Sequence, residues 1–493
     1  MLASGAKRLY IAAVILLIVP IWCVRHLPTV DGPSHVYNAE IIRHIVRGDH
    51  CPLTQWFRLN RRPVPNWSGH LILALLLTIF PAAVAEKLLM TGIIALFMTG
   101  VWMYAGCDDE RRHVYAFVAI PLAYNQLFQL GFYNYAIGVG LSLVTIAWWW
   151  RHRAQPTLKS IAITSLLLVA CYFSHPLTTA LTIASLLLLW LAQARLRRES
   201  ALHLLMLLPV APFLGWYAFS QPGDSSSLFT PMPFSIGWSY LNKTQLLLTF
   251  DPRQLIFGRV YFALFIVLFI VTFIRQSLKR EASLFLALTL IYLVLYYALS
   301  SNANGGSFIH ERLALAFMLA PLAWFTPRVP SRALIAAFLC VAVAEAGFLV
   351  KNYTHADHNI TRLLASTRGL GARSTLVPLL GAYDARPGSA LVPMMKAINY
   401  AAIDHELVNL DNYEAGTDYF PITFAPSMQP NVFQIENQAW TIDAARYAPE
   451  AEWVFTWKFG DETQLAKDEL PRGYALIAAN GNGRVYRSKV ISP

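Results

Sequence analysis

The sequence predicts a polytopic α-helical membrane protein that ends in a separate α+β domain. Three observations predict it. Of 493 residues, 56% are hydrophobic and 14% charged, whereas globular chains carry about 25% charged residues. Apolar runs that approach the ~20 residues needed to cross a ~30 Å hydrocarbon core recur from residue 9 to residue 350. Beyond residue 350 these runs stop, and segments of strand length separated by turn residues replace them.

The elements follow in order. The run from Tyr10 to Val24 comes after Lys7 and Arg8, as a signal peptide's would. No small-residue cleavage site follows it and many more spans do, so it reads as a retained first span. The expected spans are 9–25, 86–106, 114–128, 132–150, 158–174, 177–194, 201–219, 255–274, 282–300, 311–326 and 333–350. Their connections alternate in character. Lys7-Arg8, "DDERRH", "RHRAQPTLK", "ARLRRES", "RQSLKRE" and "TPRVPSR" hold 15 Lys or Arg in short stretches, which makes this set cytoplasmic. About 11 transmembrane helices then put the N-terminus inside and the tail outside. "WSGHLILALLLTIFPAAVAEK" has only about 13 continuous apolar residues, which is short for a crossing. It reads as an interfacial helix at 68–80. It shares a long first external loop, 26–85, with a second helix at 34–48, and another long external loop covers 220–254.

Two domains result: a membrane module, 1–350, and an extracytoplasmic α+β domain, 351–493. In the tail, "STLVPLL", "WVFTWKF" and "YALIAAN" read as strands, with a turn at Asn480-Gly481-Asn482-Gly483 leading to "RVYRS". "MKAINYAAI" and "TQLAKDEL" read as short helices. The net charge of +11 does not indicate nucleic acid, because the tail holds 13 Lys+Arg against 15 Asp+Glu and the excess lies between the spans. Five scattered cysteines form neither a disulfide framework nor a zinc spacing. No P-loop, dinucleotide fingerprint or His-Glu-x-x-His sequence is present. Four Asn-x-Ser/Thr sites (Asn66, Asn242, Asn352, Asn359) fall on the expected outside, a number that chance supplies.

One short stretch carries chemistry: "TVDGPSHVYNAEIIRHIVRGD", residues 29–49, just after the first span. Pro33 suits a first helical turn, so Asp31 is explained either as a helix cap or as a carboxylate held at the membrane boundary to accept a proton. On that helix His35, Asn38 and Ile42 share one face and Tyr37, Ile41 and His44 another. One face is expected toward a cavity, the other toward the membrane.

The arrangement resembles the first external loop of GT-C glycosyltransferases, among them protein O-mannosyltransferases, lipid A aminoarabinose transferases and bacterial relatives. Asp31, His35, Ala39, Ile42, Gly48 and Asp49 match that pattern, and Gly32 stands where a second acid is usual. "PVPNWSGHLILALLLTIF", "AEKLLMTGIIALFMTGVWMYAGCDDERRH", "LGFYNYAIGVGLSLV", "HERLALAF", "DNYEAGTDYFPITF" and "AEWVFTWKFG" continue the likeness in order along most of the chain.

The resemblance implies transfer of a sugar from a polyprenyl-phosphate donor to a glycan, lipid or protein acceptor at the outer face, with inversion and with Asp31 as general base. No nucleic acid and no metal are required by it, and the cofactor is left open. The setting it suggests is a bacterial inner membrane. The leaving phosphate needs cations rather than an acid. Candidates are Arg312 with His310 at the head of a span, Lys243 and Arg253 in the 220–254 loop, and Arg58, Arg61 and Arg62 in the first loop. Arg312 reads equally as an interface anchor, and each of the loop cations taken alone reads first as a headgroup contact. His35, Asn38, Tyr133, Asn134, His175 and Glu311 are expected to line the cavity, although His175 also fits a helix end. His355, Asp357 and His358 in "THADHN" read as a metal cluster or as a solvated linker.

Two other classes stay open. A transporter or flippase of lipid-linked sugars would use charged residues within spans, of which Glu345 is the clearest; no repeated half is evident. A non-catalytic component of an extracellular polysaccharide assembly would present tail aromatics (Tyr413, Tyr419, Trp440, Trp453, Trp457), which serve core packing equally well.

Overall fold

The structure is a computed structural model that describes residues 2–193, 201–220, 228–276, 281–302, 306–326, 332–381, 387–438, 441–458 and 470–491. Two compact units emerge. The first comprises Met1–Pro20, Met90–Val350 and Pro387–Ala390; the second comprises Ile21–Leu89, Lys351–Arg386 and Leu391–Pro493. A single boundary at residue 350 would therefore separate the tail from the first loop, with which it shares a unit.

Among the described residues, five helices are long and apolar enough to cross a membrane: Gly5–Trp22, Ala82–Ala105, Pro176–Gln193, Pro252–Arg275 and Arg332–Ala365. Leu158–Ser174 and Ser283–Ala298 are shorter apolar helices. This is an integral membrane protein. Three expected spans are not continuous α-helices. The 114–128 segment is built from 3₁₀ turns at Glu110–Ala119 and Pro121–Tyr124 and a short helix at Gln126–Gln129. The 201–219 segment breaks between Leu202–Leu207 and Ala211–Ser220. The 311–326 segment is Ile309–Leu319 continued by a 3₁₀ turn at Ala320–Ala323. Pro121, Pro209 and Pro321 sit at these breaks, where each lacks the N–H that an α-turn needs. The last expected span, 333–350, runs on as one helix to Ala365. In the first unit small residues let helices approach closely. A Cβ on Gly100 would lie 2.8 Å from the Gly140 carbonyl oxygen, and Ser142 and Thr182 share a hydrogen bond of 2.6 Å.

The second unit begins with the first loop. After α1 (Leu2–Trp22), helix α2 (Gly32–Arg47) closes on Gly48 at φ 73°, as glycine favours at a helix C-terminus. The second expected interfacial helix is present as α4 (Ser68–Leu76), after a short α3 (Pro52–Trp56) and the strand β1 (Phe57–Leu59). Leu71, Ile72, Leu75 and Ile79 are exposed along and just beyond α4, the apolar face that an interfacial helix presents to lipid.

Among the described residues the tail supplies six further strands: β2 (Thr375–Leu380), β3 (Val408–Asn409), β4 (Ile422–Phe424), β5 (Trp453–Trp457), β6 (Tyr474–Asn480) and β7 (Gly483–Ser488). Five form one sheet in the order β3-β2-β5-β7-β6. β2 is parallel to β3 and β5, and β7 is antiparallel to β5 and β6. The apolar "TLVPLL" suits a parallel strand covered on both faces. Pro378 is tolerated because pairing with β3 ends at Leu376. Gly481, at φ 57°, makes the β6–β7 turn. "MKAINYAAI" overlaps the helix Ile398–Asp404, while most of "TQLAKDEL" lies outside the described residues. Trp453 and Trp457 are core residues of β5, and Trp440 lies outside the described residues.

Loop and tail are joined by pairing and by a common core. β1 runs antiparallel to β4, with Phe57 opposite Phe424. Tyr37, Ile41, Ile42 and Leu53 of the loop pack with Val377, Ile398, Leu407 and Phe455 of the tail. Asn66 and Asn352 are buried, which removes two of the four Asn-x-Ser/Thr sites from consideration as glycan acceptors.

Candidate active site

Asp31 occupies the cap position of α2, yet its side chain makes no capping hydrogen bond. Its backbone carbonyl takes that role, accepting from the amides of Ser34 (2.9 Å) and His35 (3.1 Å). The carboxylate is partly buried. Burial pushes its pKa up to about 6, against the lowering charges of His35 and Lys396 and with the raising charges of Glu414 and Glu436. The capping explanation of this residue therefore fails.

One turn further on, His35 meets two groups remote in sequence. Its Nδ1 lies 3.0 Å from Glu414 Oε1 and 3.3 Å from His70 Nε2. His70, on α4, places Nε2 2.6 Å from Glu414 Oε2 and Nδ1 2.9 Å from the Asn66 carbonyl. Burial alone would raise the Glu414 carboxyl, but His35 and His70 outweigh it and hold that group well below the usual range. Asn38, one turn beyond His35, exchanges amide hydrogen bonds with Asn412 (3.2 and 2.7 Å). Asn399 donates to Ser34 Oγ (3.0 Å) and accepts from Asn409 (2.7 Å).

The other face of α2 does not meet lipid. Tyr37 is buried; its hydroxyl donates to the Leu407 carbonyl (2.8 Å) and accepts from the Asn409 amide (2.9 Å). Both faces are closed by protein, because the tail folds over the helix.

Near these groups Lys396 is buried between Asp411 (3.1 Å) and Glu436 (2.9 Å), with its ammonium 5.2 Å from the ring centre of Tyr413. Burial would lower the Lys396 pKa, but the two carboxylates outweigh it and keep the lysine charged. Glu86 is also buried; it accepts from the Tyr400 hydroxyl and from Thr29 (3.4 Å). Sequence reasoning missed His70, Lys396, Asp411, Glu414 and Glu86 as site groups. Asp411 and Glu414 stand in "DNYEAGTDYFPITF", a stretch the resemblance had singled out without assigning roles.

"THADHN" is helical. The Asp357 carboxylate accepts from the Arg25 and His26 amides (both 2.9 Å), and His355 and His358 are exposed. The stretch closes the turn after the first helix, so neither reading, metal cluster or solvated linker, describes it. In the first loop Arg58, Arg61 and Arg62 are exposed. Arg58 donates to backbone carbonyls of its own turn, among them Phe57 (2.8 Å).

The first unit holds a second set of candidates. Arg312 is buried, with Nη1 3.2 Å from His175 Nε2 and its guanidinium carbon 4.9 Å and 5.3 Å from the ring centres of Tyr135 and Phe132. His175 Nδ1 accepts from the Leu177 amide (3.2 Å), which assigns the ring proton of neutral His175 to Nε2. Two N–H groups then converge, the arrangement an anion takes. Tyr133 and Asn134 are buried at the start of the same helix as Tyr135, and a cavity of about 50 Å³ is lined by Tyr104, Tyr135, Tyr292 and Leu315. Glu311 Oε2 is buried and without a hydrogen bond among the described residues. The other candidates are already engaged: His310 binds the Leu299 carbonyl (2.6 Å), Lys243 donates to Ser239 (2.9 Å), and Arg253 forks onto Asp251 (3.0 and 2.6 Å).

No family model matches this chain, and no curated protein matches it. Among solved structures it is similar to ArnT from Cupriavidus metallidurans in the apo state, with a TM-score of 0.55 and 12% identity over 99% of this chain and 98% of that one. The chain has an ArnT-like fold. The likeness is of fold and covers both units, which agrees with the ordered motif likeness read from the sequence.

Proposed function

We propose that this GT-C-like chain is a glycosyltransferase that moves a sugar from a polyprenyl-phosphate donor to an acceptor hydroxyl at the outer face of the membrane. The observation that carries the reading is Asp31: a partly buried carboxylate at the head of α2 whose side chain is not spent on the helix it starts. As the acceptor hydroxyl's oxygen bonds to the anomeric carbon, its proton passes to Asp31. The bond from that carbon to the phosphate oxygen breaks, and its electron pair leaves with the polyprenyl phosphate, inverting the centre. A base that holds its proton near neutrality accepts one better than an ordinary carboxylate. Within the first unit, the convergent N–H donors of Arg312 and His175 are proposed to hold a phosphate's charge.

The test uses full-length protein in liposomes with a polyprenyl-phosphate sugar, following the new glycosidic bond and donor movement separately. Bond formation that Asp31→Asn abolishes supports the reading. Undiminished turnover in that variant refutes the role of Asp31. Donor movement without any new bond favours a flippase instead.

A further inference from the structure

We infer that His35, His70 and Glu414 form a binding site for one divalent transition-metal ion of the zinc class. The inference stands independently of the transferase reading. Nδ1 of His35, Nε2 of His70 and a carboxylate oxygen of Glu414 all lie within 4.8 Å of one another, and all three residues are buried. Zinc bonds to imidazole and carboxylate are ~2.0–2.1 Å, so the corners of a tetrahedral site are about 3.3 Å apart. The two ring nitrogens stand 3.3 Å apart, and His35 Nδ1 stands 3.0 Å from Glu414 Oε1. The donors already have the spacing of a shared centre.

Counting protons points the same way. His70 Nδ1 lies 2.9 Å from the Asn66 carbonyl, which requires a proton on that nitrogen. Without a metal, one more proton must lie between Nε2 and Glu414 Oε2, 2.6 Å apart, on the ring or on the carboxyl. His70 has 0% exposure, and an ion pair formed there is costly even when well paired. Glu414 Oε1 is buried and forms no hydrogen bond among the described residues, despite its nearness to His35. A metal ion resolves both difficulties. His70 becomes neutral, donating Nδ1–H to the carbonyl and turning the Nε2 lone pair to the ion, the usual outer support of a metal-bound imidazole. Glu414 then uses its charge on the ion.

The surroundings hold the ligands in place. The Asn38–Asn412 amide pair fixes the Glu414 segment one turn along α2. Phe420 packs 6.4 Å from the His35 ring and 6.0 Å from the His70 ring. Two nitrogens and one carboxylate oxygen favour zinc over magnesium or calcium, which take oxygen donors. Three protein ligands leave a fourth position for water or another donor. The ion would bind α2, α4 and the tail only when folded, and so would stabilise the native chain.

The experiment uses full-length protein in detergent, purified without a polyhistidine tag, stripped with a chelator and titrated with Co²⁺. The expected result is one equivalent per chain with the visible bands of four-coordinate Co²⁺, displaced by Zn²⁺. The thermal midpoint should rise with Zn²⁺ and fall again with chelator. Glu414→Gln and His70→Asn should lower the stoichiometry at least tenfold, and His355→Asn, on an exposed histidine, should not. Folded wild-type protein that binds neither ion at micromolar concentration overturns the inference, as does full binding by Glu414→Gln. The wild-type titration decides the matter even where a variant fails to fold.

Discussion

At the scale of single residues, Asp31 gives two predictions that pull in opposite directions. Asp31→Asn should lower transfer by at least about 100-fold, the usual contribution of a general base, measured in liposomes. The same change should stabilise the fold. Burial raises the carboxyl from 3.8 to about 6, so the folded chain holds this proton more tightly than the unfolded one. Stability is therefore lost as pH rises through the window from about 4 to 6, and the full cost applies above it. Removing the charge should gain about 1–3 kcal/mol at pH 7.5, allowing for partial exposure, and nothing at pH 4. Thermal unfolding at both values checks this. The transfer rate of the native enzyme should in turn fall as pH drops through about 6. Arg312→Lys, which keeps the charge but loses the guanidinium's fork and stacking, should cost about tenfold or more in transfer, measured in the same liposomes.

At the scale of elements, α2 is the part whose sequence said most and was still half misread. Its start and end were legible from Pro33 and Gly48, and its polar face from His35 and Asn38. One of its two faces was expected toward the membrane. Tyr37 instead spans two backbone groups of the tail, Leu407 and Asn409. Tyr37→Phe should therefore cost about 1–3 kcal/mol, since it leaves buried backbone groups unpaired; denaturation in detergent measures it. Broken helices were the other difficulty. Windows of hydropathy are blind to a proline's missing N–H, so 114–128, 201–219 and 311–326 scored as ordinary spans.

At the scale of the whole molecule, the charge pattern makes an experiment of the topology. Single cysteines placed in a cysteine-free background at Arg111 and at Glu406 should react with an impermeant reagent from opposite sides of the membrane, the latter from outside. Labelling of both from one side would break the eleven-span order, and labelling of Arg111 from outside with Glu406 from inside would reverse it.

Composition, apolar run length and charge alternation were enough for the sequence to determine a membrane protein with a tail of different character, because the cost of burying polar groups in lipid acts residue by residue along the chain. The strands of the tail and the singular position of Asp31 were legible for the same local reason. Only the tertiary structure decided that the first loop and the tail are one unit, that His35, His70 and Glu414 meet, and that Lys396 stands between two acids. Those pairings join residues up to 379 apart, and no period or motif in a linear chain records which distant groups folding will bring within 3 Å.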